Sequence, residues 1–101
     1  MNNTPLRLRY PELYILLVQK LTAVGLQPYD VIAAIQDNEA MGKTMLYVQF
    51  GAGFGEKVMT EVDPLELVNL TPRIQAFMDT AVDSCREAVI GEYRAAMRLR
   101  S

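Results

Sequence analysis

Histidine and tryptophan are absent from this 101-residue sequence, and cysteine occurs once, at Cys85. Without histidine the commonest general base is missing, and with a single cysteine neither a Cys–His nucleophile pair nor a Cys/His zinc cluster can be assembled. A lone cysteine forms no internal disulfide, so the composition fits a reducing cytoplasm. Long apolar runs are missing too. The longest, Leu13 to Val18, falls far short of the roughly 20 residues that cross a bilayer. Met1-Asn2-Asn3-Thr4-Pro5 lacks the charged lead and apolar run of a signal peptide. The expectation is a cytoplasmic protein with no membrane association. Half the residues are apolar, 22% are charged and the net charge is −2, a small acidic chain with room for one core.

Met1 to Arg9 carry Pro5, two asparagines and two arginines, with no helical periodicity beyond Leu6 and Leu8. They read as an N-terminal arm or short extended segment ahead of a single domain, residues 10–101. A helix is expected from Pro11 to Val24: proline at the first position loses no N–H, Glu12 complements the helix N-terminus and Gly25 supplies a left-handed stop. Leu13, Tyr14, Leu17, Val18, Leu21 and Val24 form one apolar stripe, which Ile15 and Leu16 widen. Such a helix is expected to be covered on two sides, the second by another subunit or by a thick core contact.

Between Tyr29 and Val62, β-branched and aromatic residues gather between turn formers, which predicts three short antiparallel strands at Tyr29 to Gln36, Thr44 to Phe50 and Lys57 to Val62. The second ends in Gly51-Ala52-Gly53-Phe54-Gly55, a turn incompatible with a helix. The first has a rival: Pro28, Ala33, Ala34 and Gly42 equally suit a short helix, which would leave two helices, a β-hairpin and a long helix. Asp63-Pro64 and Thr71-Pro72 each read as a capped helix start. From Ile74 to Met97 apolar residues recur at three- and four-residue steps, predicting a helix of about 27 residues and roughly 40 Å, longer than such a globule is wide. The fold class is therefore α+β: a helix, a three-stranded antiparallel meander and a long C-terminal helix, with the helices on one face of the sheet. Two edges and one face of that sheet stay open, and dimerisation would hide them.

Gly42-Lys43-Thr44 matches the end of a phosphate-binding loop, but Asp37 stands where the first glycine is required and a strand follows where a helix is needed. The segment Gly51 to Glu56 follows a strand, as a dinucleotide fingerprint should, yet its third glycine is displaced and no helix faces a pyrophosphate. No cofactor is expected. Phe54, on its glycine-flanked loop, either inserts into a partner's pocket or folds back on the core. Asp37 and Glu39, and further on Glu56, Glu61, Asp63 and Glu66, lack a metal-ligand spacing; capping and solvation account for them. Cys85 lies on the apolar stripe of the last helix, the setting of an inert thiol. Met45, Met59, Met78 and Met97 take apolar positions suited to core filling or to adaptable binding.

Five of the seven arginines lie near the chain ends, Arg7, Arg9, Arg94, Arg98 and Arg100. Arginine suits a helix C-terminus by itself, and a basic patch forms only if the arm lies along the last helix. The order helix, three strands, helix, with Gly42 before the second strand, Gly51 after it, Val62-Asp63-Pro64 closing the third and an alanine-containing final helix, is similar to the YbaB-like nucleoid-associated proteins over about Asp37 to Met97. The first helix here is apolar where that family's is long and charged, and its glycine-rich tails are missing. The resemblance implies a homodimer that binds DNA without strong sequence preference, with those five arginines meeting phosphate. Double-stranded-RNA-binding domains share the strand order, but their lysine-rich helix start is replaced by Asp63-Pro64-Leu65-Glu66.

From the residues themselves the leading expectation is a non-enzymatic homodimeric protein-interaction module of adaptor, chaperone or inhibitor type. It would bind another protein through apolar helix faces, with Ile15, Leu16, Phe54, Tyr93 and Met97 as contact residues. The alternative is the DNA-binding dimer.

Overall fold

Proline at the first position starts the main N-terminal helix, but regular structure begins before it. The computed structural model describes the backbone of residues 2–38 and 42–100 and the side chains of residues 3–37 and 42–92. Strand β1 (Asn2–Pro5) runs into a single helical turn, α1 (Leu6–Arg9), and then α2 (Pro11–Ala23). There follow β2 (Ile32–Asn38), β3 (Lys43–Phe50), β4 (Glu56–Val62), α3 (Pro64–Asn69) and α4 (Pro72–Arg100). The strands form one antiparallel sheet in the order β1-β2-β3-β4. The fold is α+β with a long C-terminal helix, and the meander gains a fourth strand.

That extra strand, Asn2–Pro5, falls within the segment expected to be an arm or short extended stretch, of which Leu6–Arg9 are helical instead. Pro5 sits opposite Ala34 on the sheet's outermost strand, where a missing N–H breaks no ladder. Leu6, one residue later, is completely buried. The first strand of the meander is a strand and not the rival helix, but it begins at Ile32. Pro28–Asp30 instead form a turn of 3₁₀ helix, in which Asp30 Oδ2 accepts the Gln27 N–H at 2.7 Å.

Period-two alternation decides which face is covered. Val31, Ala33 and Ile35, with Leu46, Val48, Phe50 and Val62, point inward and join Leu6, Leu13, Leu17 and Leu21 in the core. Helix α2 is thus covered on one side within the chain, while Ile15 is exposed. Its end is tied off by the Gly25 N–H to Thr22 and the Leu26 N–H to Leu21, with Gly25 at φ +82°, the paired bonds of a Schellman stop.

Helix α3 starts as its sequence suggests, Asp63 Oδ1 accepting the Leu65 N–H at 2.9 Å. Thr71 does not repeat the device: its hydroxyl is buried and makes no hydrogen bond. Helix α4 buries Ile74, Met78, Ala81, Val82 and Cys85, and an ion pair of 2.6 Å from Lys20 to Asp79 ties it to α2. From Ile90 to Glu92 its side chains are exposed. Its 29 residues reach about 44 Å at 1.5 Å per residue. The molecule's 51 Å long axis, against 28 and 21 Å for the others, follows from that helix.

Candidate interaction surfaces

Two surfaces carry apolar side chains to solvent. The first lies where α1 turns into α2. Leu6 faces the core, so Leu8, on the opposite side of the same helical turn, is exposed. Tyr10 and Pro11 complete the corner and face α3, whose short length leaves Leu65 and Val68 outward while Leu67 is buried. Between corner and α3 is a cavity of about 240 Å³ lined by Arg9, Tyr10, Pro11, Glu12, Leu13, Leu67 and Val68. Small-molecule sites usually enclose about 300–1,000 Å³; this one is of a size to take one or two protruding side chains.

The second surface is the outer face of the sheet. Register places Pro5, Ala34, Tyr47 and Met59 side by side across the four strands. Met59 is 43% exposed and Ile32 42%, while Tyr47 is only 7% exposed. The Lys57 ammonium lies over the Tyr47 ring at 4.9 Å, a cation–π contact that also shields the ring with the lysine stem. The core helices pack on the other side of the sheet.

The residues singled out from the sequence are scattered. Ile15 is exposed on α2, but Leu16 packs against the core and offers little outward surface. Phe54 is exposed on the β3–β4 connection, held by its N–H to Gly51 at 3.0 Å, at a left-handed φ of +54°. The side chains of Tyr93 and Met97 lie outside the described residues. Of the methionines at apolar positions, Met78 fills the core, whereas Met45 and Met59 belong to the outer face.

Among the terminal arginines, Arg7 is exposed, whereas the Arg9 guanidinium is bound to the Asp37 carboxylate, which also accepts from Thr44 Oγ1 at 3.2 Å. That hydrogen bond and charge hold Arg9 above its already high ordinary pKa. The side chains of Arg94, Arg98 and Arg100 lie outside the described residues.

Glu61, Asp63 and Glu66 do converge, around a cavity of about 470 Å³ that also takes in Lys43 and Arg73. Each is occupied. Arg73 pairs with Glu66 at 2.8 Å and donates to the Glu61 carbonyl at 2.8 Å; Lys43 lies 3.8 Å from Glu61, and Asp63 caps α3. Glu39 is outside the described residues. Among the described residues there is no group of three or more cysteines and carboxylates placed to hold a metal ion, and no helix is long and apolar enough to cross a membrane. Cys85 is buried, and burial pushes its thiol pKa up, with Asp30 and Glu92 adding to the effect.

Comparison with known proteins finds no match. No family model fits the chain, and neither curated proteins nor solved structures align with it.

Leu65 and Val68 leave no signal in the sequence because α3 is too short to show a helical stripe. The outer face left a fainter signal: Ile32, Ala34, Met45, Tyr47 and Met59 alternate out of phase with the core positions.

Proposed function

We propose that the chain is a non-enzymatic, homodimeric protein-interaction module of adaptor, chaperone or inhibitor type, acting in the cytoplasm. It takes an apolar segment of another protein in the groove between the α1–α2 corner and α3. The observation that carries this reading is the exposed Val68 at a cavity lined by Tyr10, Pro11, Leu13 and Leu67, with Leu65 exposed on the same short helix α3 and Leu8 exposed on α1. Exposed aliphatic side chains grouped around a concave floor are the anatomy of a protein contact, and burying each gives about 1.5–3 kcal/mol. The Arg9–Asp37 pair supports it as well, since that guanidinium, at the surface, already has a carboxylate partner within the chain.

The test is affinity capture from the source lysate with nuclease present, using the tagged wild type and the Leu65→Glu/Val68→Glu variant. A stoichiometric protein retained by the wild type and lost with the variant supports the reading. Nucleic acid that co-purifies without nuclease, with every protein lost after digestion, would overturn it in favour of the DNA-binding dimer.

A further inference from the structure

The outer face of the sheet has a charge pattern that selects one way of covering it. On β4, Lys57 and Glu61 flank Met59, and all three are exposed on that face. Lys57 lies level with Gln49 and Ile32 at one end of the strands, and Glu61 lies level with Met45 and Gln36 at the other. The central row, Pro5–Ala34–Tyr47–Met59, carries no charge.

A two-fold axis laid along that central row superposes the row on itself and exchanges the strand ends. Each Lys57 then meets Glu61 of the other copy, twice by symmetry, and Met59 meets its own equivalent, while Tyr47 stays beneath the Lys57 stem. An axis along β3 would instead set Lys57 against Ile32 and Glu61, which has Lys43 of its own chain at 3.8 Å, against Gln36, leaving the two Lys57 ammonium groups without a carboxylate in the interface. Such burial is strongly unfavourable.

The edges of the sheet offer poorer alternatives. β1 is four residues long and ends in Pro5, and on β4 the Arg73 guanidinium already occupies the Glu61 backbone carbonyl. Short strands, proline and charged clasps are the means by which edge pairing is blocked.

We infer that the outer sheet face is a homodimer interface with its two-fold axis along Pro5–Ala34–Tyr47–Met59, in which Lys57 of each copy pairs with Glu61 of the other. This rests on the homodimeric reading above and specifies its contact surface. Two sheets so related pack about 10 Å apart with strands within about 30° of alignment. The face measures roughly 20 Å by 20 Å, about 400 Å² per protomer and half the roughly 800 Å² per partner of a standard interface, so a weak dimer is expected.

Sedimentation equilibrium of the full chain from about 1 to 200 µM, with far-UV circular dichroism of every variant, tests the arrangement. The wild type dimerises. Lys57→Glu and Glu61→Lys, each alone, weaken the dimer about tenfold or more by opposing like charges, and mixing the two variants restores dimers, because each copy then supplies the other's complement. Ile32→Glu, far from the β4 edge, also weakens it. Reversals that leave a wild-type dimer intact would overturn this face while keeping the homodimer. If the reversals act and Ile32→Glu does not, pairing is through the β4 edge and the inference fails. A wild type that stays monomeric at about 200 µM overturns the inference and the homodimeric reading together, whatever the capture experiment shows of a protein partner.

Discussion

Leu6 and Leu8 lie on one helical turn and meet opposite environments, which makes them a sharp test of whether the first nine residues belong to the fold. Leu6 is 0% exposed and Leu8 is 65% exposed. Leu6 packs with Leu13, Leu17 and Ile35 in the core cluster, and its carbonyl accepts the Tyr10 N–H at 2.8 Å, closing α1. Leu6→Ala removes buried carbon and leaves a cavity, at a cost of about 2–5 kcal/mol. Against a total stability of about 5–15 kcal/mol for a chain of this size, that is a large fraction. Leu8→Ala removes carbon already in water and stays within about 0.5 kcal/mol. In urea, with an m-value of about 1.5 kcal/mol/M, a 3 kcal/mol loss lowers the midpoint by about 2 M, whereas Leu8→Ala moves it by less than about 0.4 M. Unfolding followed by circular dichroism reads both. Equal midpoints for the two variants would show that Leu6 is not part of the core and that the segment is an arm after all.

Three further outcomes follow from local geometry. Gly51 has φ +81° and ψ −176°, and a Cβ there would sit 3.2 Å from Glu56 Oε2; Gly51→Ala should cost about 1–3 kcal/mol, read as a lower urea midpoint. The Thr71 hydroxyl is buried without a hydrogen bond, so the isosteric Thr71→Val should stabilise the protein by about 1 kcal/mol, read in the same way. Cys85 has its thiol pKa raised by burial, so the folded chain holds that proton more tightly than the unfolded one. Its contribution to stability is complete below the ordinary thiol value of about 8.5 and falls as pH rises past it; the stability difference between wild type and Cys85→Ala should shrink from pH 8 to pH 10, and a constant difference would refute the linkage.

The legible parts of the fold were those with long periodic patterns or decisive turn chemistry. Helix α4 shows its stripe from Ile74 to Val89, and β3 is bounded by Gly42 and Gly51. Gly25 ends α2 with the left-handed geometry expected of it. Strand β1 was not legible, because Asn2, Asn3 and Pro5 are residue types depleted in strands, leaving Thr4 alone to favour one, and they pair because β2 presents an edge to them. The rival helix at Ala33 and Ala34 fails for a tertiary reason: alternate residues there fill the core against Leu46 and Val48. Of the two-sided covering expected of α2, the chain itself supplies one side and leaves Ile15 exposed on the other. Of the candidate contacts, Ile15 and Phe54 are exposed, but the groove at α3 depends on three segments that only the fold brings together.

The two apolar surfaces have a joint consequence. The outer sheet face is apolar at its centre and charged at the ends of β4, the pattern on which the proposed dimer rests. The groove formed by Tyr10, Pro11, Leu67 and Val68 belongs to the helical side, away from that face. A dimer joined through the sheets would therefore present two grooves on opposite outer sides, related by the two-fold axis and unobstructed by the interface. A partner carrying two apolar segments could engage both, and its second contact would form at the high effective concentration set by the linker between the segments. Disrupting the dimer by Lys57→Glu should then weaken capture of such a partner with every groove residue intact, whereas a partner with one segment should bind monomer and dimer alike.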